Sequence, residues 1–185
     1  MEVSRRDISL YLMMGGREPD PALAKRIDEL TVEVRKVLRP MRVWRRMSIG
    51  SLPSPGTLLM KRLEGCSSVC LVCATLGVGV DALQRRLGVS SAADALIVQA
   101  VGAAFIESWM DEIEYEIRRS LKAGETLVER YSPGYGDWPL DVQGKLLAML
   151  DAPRTIGVSL TDTNLMVPSK SVSAAIGVKN NLKGD

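Results

Sequence analysis

From Ser90 to Arg119 the sequence reads as one helix, capped by Ser90 or Ser91. At about 1.5 Å per residue such a helix is roughly 40 Å long, more than the width of a small domain. The rest of the chain must therefore pack along it. With 185 residues, 46% of them hydrophobic and 25% charged, the chain has the composition of an ordinary globule. We read it as a single domain over residues 1–185, long enough to bury a real core.

Local signals place the other elements. Ser4 is set to cap a short helix that stops at Gly15-Gly16. In "DPALAKRIDELTVEVRKVLRP" Asp20 is the cap, Pro21 takes the first helical position and Pro40 ends the helix. Its apolar residues Leu23, Ile27, Leu30, Val34 and Val37 recur at three- and four-residue steps. "MRVWRRMSI" alternates as a strand, and "PSPG" turns into a short helix ending near Gly65. "SSVCLVCATLG" is an apolar run closed by glycine, the pattern of a strand buried on both faces. A helix over 79–87 precedes the long one. "LVERYSPGYGDWP" is strand-like before it becomes a Gly/Pro loop, and "LDVQGKLLAMLDAP" is helical. "RTIGVSLTDTNLMVPSKSVSAAIGV" predicts two or three strands with turns at "TDTN" and "VPSK". The order predicts an α+β fold: a mixed, mainly antiparallel twisted sheet packed with helices, including one long central helix.

Composition narrows the chemistry. The chain has no histidine, which excludes Ser/His/Asp and Cys/His pairs, imidazole metal ligands and a histidine general base. Transfer of an already activated group, or binding alone, satisfies that condition. A net charge of +2 and few aromatics argue against a nucleic-acid partner. The apolar run in "MEVSRRDISLYLMMGG" is too short for a signal peptide, and no segment approaches 18 consecutive apolar residues, so no membrane role is expected. Three cysteines, an odd number, point to a reducing cytoplasm.

Those cysteines, Cys66, Cys70 and Cys73, form a CxxxCxxC spacing, the one by which radical S-adenosylmethionine enzymes hold an iron–sulfur cluster. In a strand, Cys66 and Cys70 would share a face about 13 Å apart, and Cys73 would face the other side. Three thiolates on one cluster need a curled loop instead. Buried structural cysteines are the favoured reading.

The segment 130–178 carries more. Arg130 ends a strand and presents a fork to a carboxylate. Ser132-Pro133-Gly134 lets the backbone turn closely around a ligand, Tyr135 offers a flat face and a hydroxyl, and the amides near Gly134 to Asp137 are available to polar ligand atoms. Such a site suits an amino acid, or a nucleoside joined to one. The alternative is a plain Gly/Pro loop whose arginine makes a surface ion pair.

This segment resembles the activation (reactivation) domain of cobalamin-dependent methionine synthase. That family's RxxxGY motif is matched by Arg130, Gly134 and Tyr135, and the proline after it by Pro139. "IGVSLTDTNLMVPSKSVSA" is similar to its G-x-x-L-T-[DE]-[ST] and M-x-P-x-x-S-V-S segments. The likeness is close over 130–176 and looser over "ATLG" and the long helix. It implies that Arg130, Gly134, Tyr135, Glu107 and Asp137 contact S-adenosylmethionine. Arg130 would take the methionyl carboxylate, Glu107 a polar group such as the amine, and Asp137 a backbone contact. On the bare sequence Glu107, Asp111, Glu114 and Arg118 are only a polar stripe on a helix.

The resemblance further implies a reaction. The domain caps the cobalamin domain, an electron from a flavodoxin-like donor reduces cob(II)alamin, and the resulting cobalt nucleophile takes the methyl group from the sulfonium. No cobalamin-binding segment is seen in this sequence. A stand-alone protein would therefore act in trans on a separate methionine synthase or other corrinoid protein, which supplies the cobalamin. Only "KNNLKGD" follows "SVSAAIGV", where longer relatives carry an aromatic-rich strand with a further tyrosine contact. The alternative reading is a non-catalytic docking module that caps a corrinoid protein without binding S-adenosylmethionine. The basic stretch "RKVLRPMRVWRR" is either a docking patch for an acidic partner or, as favoured, a solvated surface.

Overall fold

The computed structural model describes residues 1–15 and 17–181. Its strands are β1 (Met41–Met47), β2 (Cys66–Thr75), β3 (Glu125–Leu127), β4 (Ser159–Leu160), β5 (Met166–Val167) and β6 (Ser171–Asn180). Four of them form one sheet in the order β1-β2-β6-β3, with every pairing antiparallel, and β4 and β5 make a separate small hairpin. The helices are α1 (Arg5–Tyr11), α2 (Pro21–Val37), α3 (Thr57–Arg62), α4 (Gly79–Gly88), α5 (Ala92–Arg119), α6 (Gln143–Leu150) and α7 (Ala152–Ile156).

The caps read in the sequence are in place. Ser4 and Asp7 form a capping box on α1, and Asp20 accepts from Leu23 N at 2.8 Å on α2. Ser91, rather than Ser90, caps α5 by accepting from Asp94 N. Helix α1 stops at Leu12, before Gly15; Gly16 lies outside the described residues.

Alternation along β2 divides the core in two. Cys70, Val72 and Ala74 face a layer formed by α1, α2, α4 and α5, while Val69, Leu71 and Cys73 face α3, α6 and α7. Helix α5 is the spine of the first layer, burying Ile97, Val101, Met110, Ile113 and Ile117 among others. By length and composition it is apolar enough to cross a membrane, but half of its most apolar stretch is buried within the protein, as in a core helix.

Three local expectations are corrected. Arg154–Ile156 belongs to α7 rather than to a strand, because Pro153 favours a helix start and Gly157, at φ +68°, ends it after five residues. Strand β3 ends at Leu127, so Arg130 follows it in an irregular extended stretch. That stretch keeps to β6 through Val128 N to Gly177 O and the Tyr131–Ala175 bridge. Cys66 does not share a face with Cys70. The register of β2 against β6 shifts between Cys66 and Ser68, and this bulge turns Cys66 toward the second layer.

Candidate functional site

A loop tied down at both ends presents the 132–139 segment. Tyr131 and Trp138 are buried in the second layer, with stacked rings 6.3 Å apart. Trp138 Nε1 donates to Pro53 O at 3.2 Å, and Tyr131 Oη donates to Tyr135 O at 3.0 Å. The turn needs Gly134 at φ +88° and Gly136 at φ +53°. It leaves the Tyr135 side chain 68% exposed at the tip. The amides of Gly134 and Tyr135, expected to serve a ligand, donate instead to Trp138 O and Ser132 O within the loop. The Asp137 carboxylate is also engaged: it accepts from Leu58 N at 3.2 Å at the start of α3, which joins the loop to that helix.

Arg130 points from the base of this loop to α5. Its Nη2 donates to Glu107 Oε2 at 2.6 Å, and its Nη1 donates to Asp111 Oδ1 at 2.9 Å and to Glu114. The polar stripe of α5 is thus an acidic receptor for one guanidinium. Burial alone would lower the pKa of Arg130, but its hydrogen bonds to Asp111 and Glu114 and the negative charge of Glu114 and Glu107 hold it above its ordinary value. Tyr11, at the end of α1, faces the same charges. Burial, then the field of Glu107, raises the pKa of its hydroxyl.

Two adjoining depressions meet at Glu107, Ser132, Tyr135 and Val172. The smaller, about 270 Å³, contains Arg130, Arg62 and Glu129. The larger, about 380 Å³, extends over Pro133, Leu140 and Gln143 to Asn164, Leu165 and Met166 of the hairpin and to Ser169, Ser171 and Ser173. Buried Gln143 ties these parts together, donating to Asn164 O at 3.0 Å. The "RYSPGY" and "TDTNLMVPSKSVS" segments, far apart in sequence, therefore line one cleft.

The fold is similar to that of a solved protein. The crystal structure of the MetH reactivation domain bound to AdoHcy matches with a TM-score of 0.65 at 14% identity, over 98% of this chain and 76% of that one. No curated protein matches. The model of the vitamin B12 dependent methionine synthase activation domain matches residues 64–183. The chain belongs to that family. The match takes in the cysteine-bearing strand and α5 as well as the loop, so it reaches well N-terminal of the segment whose motifs are plainest in the sequence.

Against the expectations for an activation domain, Arg130, Glu107 and Tyr135 come together at the cleft, Gly134 shapes the turn without lining it, and the Asp137 side chain turns away to α3. Sequence reasoning missed Asp111 and Glu114 as partners of Arg130, and Gln143 as the brace beneath the hairpin. A three- and four-residue spacing of acids facing a distant arginine was the available signal for the first pair. None marked the second. The basic stretch is largely neutralised within the fold, Arg42 by Glu116 and Arg46 by Glu125, with Arg35 stacked over Phe105. Such pairing favours the surface reading over a docking patch.

Proposed function

We propose that this chain binds S-adenosylmethionine in the cleft and supports reductive methylation of cob(II)alamin held by a separate methionine synthase or other corrinoid protein. The convergence of Arg130, Glu107, Tyr135 and residues 164–173 on one cleft carries this reading. The similar MetH reactivation domain, bound to AdoHcy, lends support. Arg130 would pair with the ligand carboxylate and Glu107 with its ammonium. Tyr135, Leu140, Leu165 and Met166 provide flat and apolar surface for the rest of a nucleoside. Gly134 and Gly136 let the loop turn tightly at the mouth, and Asp137 holds it in place.

The partner's corrinoid would supply the cobalt nucleophile that takes the methyl group, after reduction by a flavodoxin-like donor. The donor sulfonium is already activated, so the chain needs no general base, in keeping with a sequence that has no histidine. Its residues would contribute binding, orientation and exclusion of water. A cytoplasmic setting suits three free cysteines.

One observation favours a second reading. Arg130 is already held by three carboxylates, as suits a docking module that caps a corrinoid protein and never takes the nucleoside. Calorimetry with S-adenosylmethionine on wild type and Arg130→Ala separates the two. Saturable binding that is lost in the variant is the expected result. If wild type binds nothing alone and nothing with a corrinoid protein added, while corrinoid-protein binding itself persists, the docking reading stands instead.

A further inference from the structure

Arg130 is held by more acids than a single ligand-binding arginine needs, and the three are not equivalent. Glu107 is 41% exposed and lines both depressions, while Asp111 and Glu114 line neither. Glu114 is the most enclosed of the three, at 19% exposure, against 70% for Asp111. The two outlying acids share Nη1, Glu107 alone takes Nη2, and Nε has no hydrogen-bond partner among the described residues. A guanidinium is rigid and planar, so fixing Nη1 fixes the direction of the other nitrogens.

We propose that Asp111 and Glu114 are positioning residues that clamp Nη1, so that an incoming ligand carboxylate replaces Glu107 on the Nε–Nη2 edge and frees Glu107 for the ligand ammonium. This rests on the S-adenosylmethionine reading of the cleft. The exchange substitutes one carboxylate for another on the same cation, so Arg130 is never left buried without a counter-charge. The displaced Glu107 meets a cation in turn. Glu107 is thus the resident stand-in for the ligand carboxylate, and the clamp keeps the long arginine side chain from having to be ordered on binding.

The test pairs S-adenosylmethionine with its decarboxylated analogue, which keeps the sulfonium, adenosine and ammonium. Glu114→Gln weakens S-adenosylmethionine about tenfold, the size expected from ordering one long side chain, and leaves the decarboxylated compound within about twofold. Arg130→Ala and the Arg130→Ala/Glu114→Gln double variant bind S-adenosylmethionine equally poorly, because the clamp acts only through Arg130. Asp111→Asn, at the exposed member, gives the same pattern more weakly and carries the test if thermal melting shows Glu114→Gln to be misfolded. Equal losses for both ligands, or wild-type affinities in both single variants, overturn the clamp while leaving the binding reading intact. A wild type that binds neither ligand overturns the binding reading, and the clamp falls with it.

Discussion

Tyr131 and Trp138, seven residues apart, stack with their ring planes 24° apart and close the loop between them like the ends of a clip. Both rings lie in the core beneath the sheet, so packing at its two ends, together with the loop's own hydrogen bonds, positions the exposed segment they bracket. Arg62 lies over the Tyr131 ring, its guanidinium carbon 5.1 Å from the ring centre.

Gly136 sits inside that clip with no room to spare. A Cβ there would lie 2.3 Å from Tyr131 Oη and 2.7 Å from Leu58 Cδ1, at a φ that side chains seldom adopt. Gly136→Ala is expected to destabilise the protein by about 2 kcal/mol. Urea unfolding measures the loss, and the near-UV circular dichroism of the aromatic pair should change with it. An unchanged spectrum would count against the clip.

Removing Arg130 leaves Glu107, Asp111 and Glu114 facing one another. Because the cluster is partly solvated, Arg130→Ala should cost only about 1 kcal/mol in urea unfolding. Arg130→Lys should recover little of it, since one ammonium cannot span partners on three successive turns of α5. Full recovery in the lysine variant would mean that charge alone, and not the fork, organises the site.

Cys73 is completely buried, and burial pushes its thiol up to about 12. A thiolate, the form that reacts and binds metal, is therefore strongly disfavoured there. Ellman's reagent should leave Cys73 untouched in the native protein and reach it only on unfolding. Cys73→Ser, which buries a hydroxyl in an apolar layer, should destabilise by about 2 kcal/mol.

Lys170 is 5% exposed and donates to the neutral Gln99 Oε1 at 2.6 Å, in space left by Gly102, where a Cβ would come within 2.8 Å of its Cε. Burial lowers its pKa below the ordinary value of 10.5, only partly opposed by Asp81. Between that lowered value and 10.5 the unfolded chain binds more protons than the folded one, so stability rises with pH across this window and falls away on acidification. Lys170→Met should remove this slope and stabilise the protein by about 1 kcal/mol at neutral pH. Urea midpoints at neutral and alkaline pH check both statements, and an unaltered slope would falsify the assignment.

Much of the architecture is readable from short-range signals. Asp20-Pro21, Ser4 and Ser91 mark helix starts that the fold uses, and the run around Cys70 is a buried strand. The misreadings arise where pairing partners decide. Nothing within "GCSSVC" announces a bulge, which exists only against β6, and Arg154–Ile156 is too short for periodicity to tell helix from strand. The site was legible as two motifs and one helix position. The acids that meet Arg130 were not, because a stripe on a helix is ordinary until the fold brings an arginine 16 and 19 residues away back onto it.

Strand β6 pairs β2 on one side and β3 on the other, yet it is the last of the described strands in sequence order. A ribosome delivering this protein would release β1, β2, α5 and β3 before the piece that joins them. Until residues 171–180 emerge, β2 offers a bare apolar edge, and neither core layer can close on a finished sheet. Productive folding is therefore expected to be late, and the nascent chain, more than the finished protein, is the form that most needs protection by chaperones.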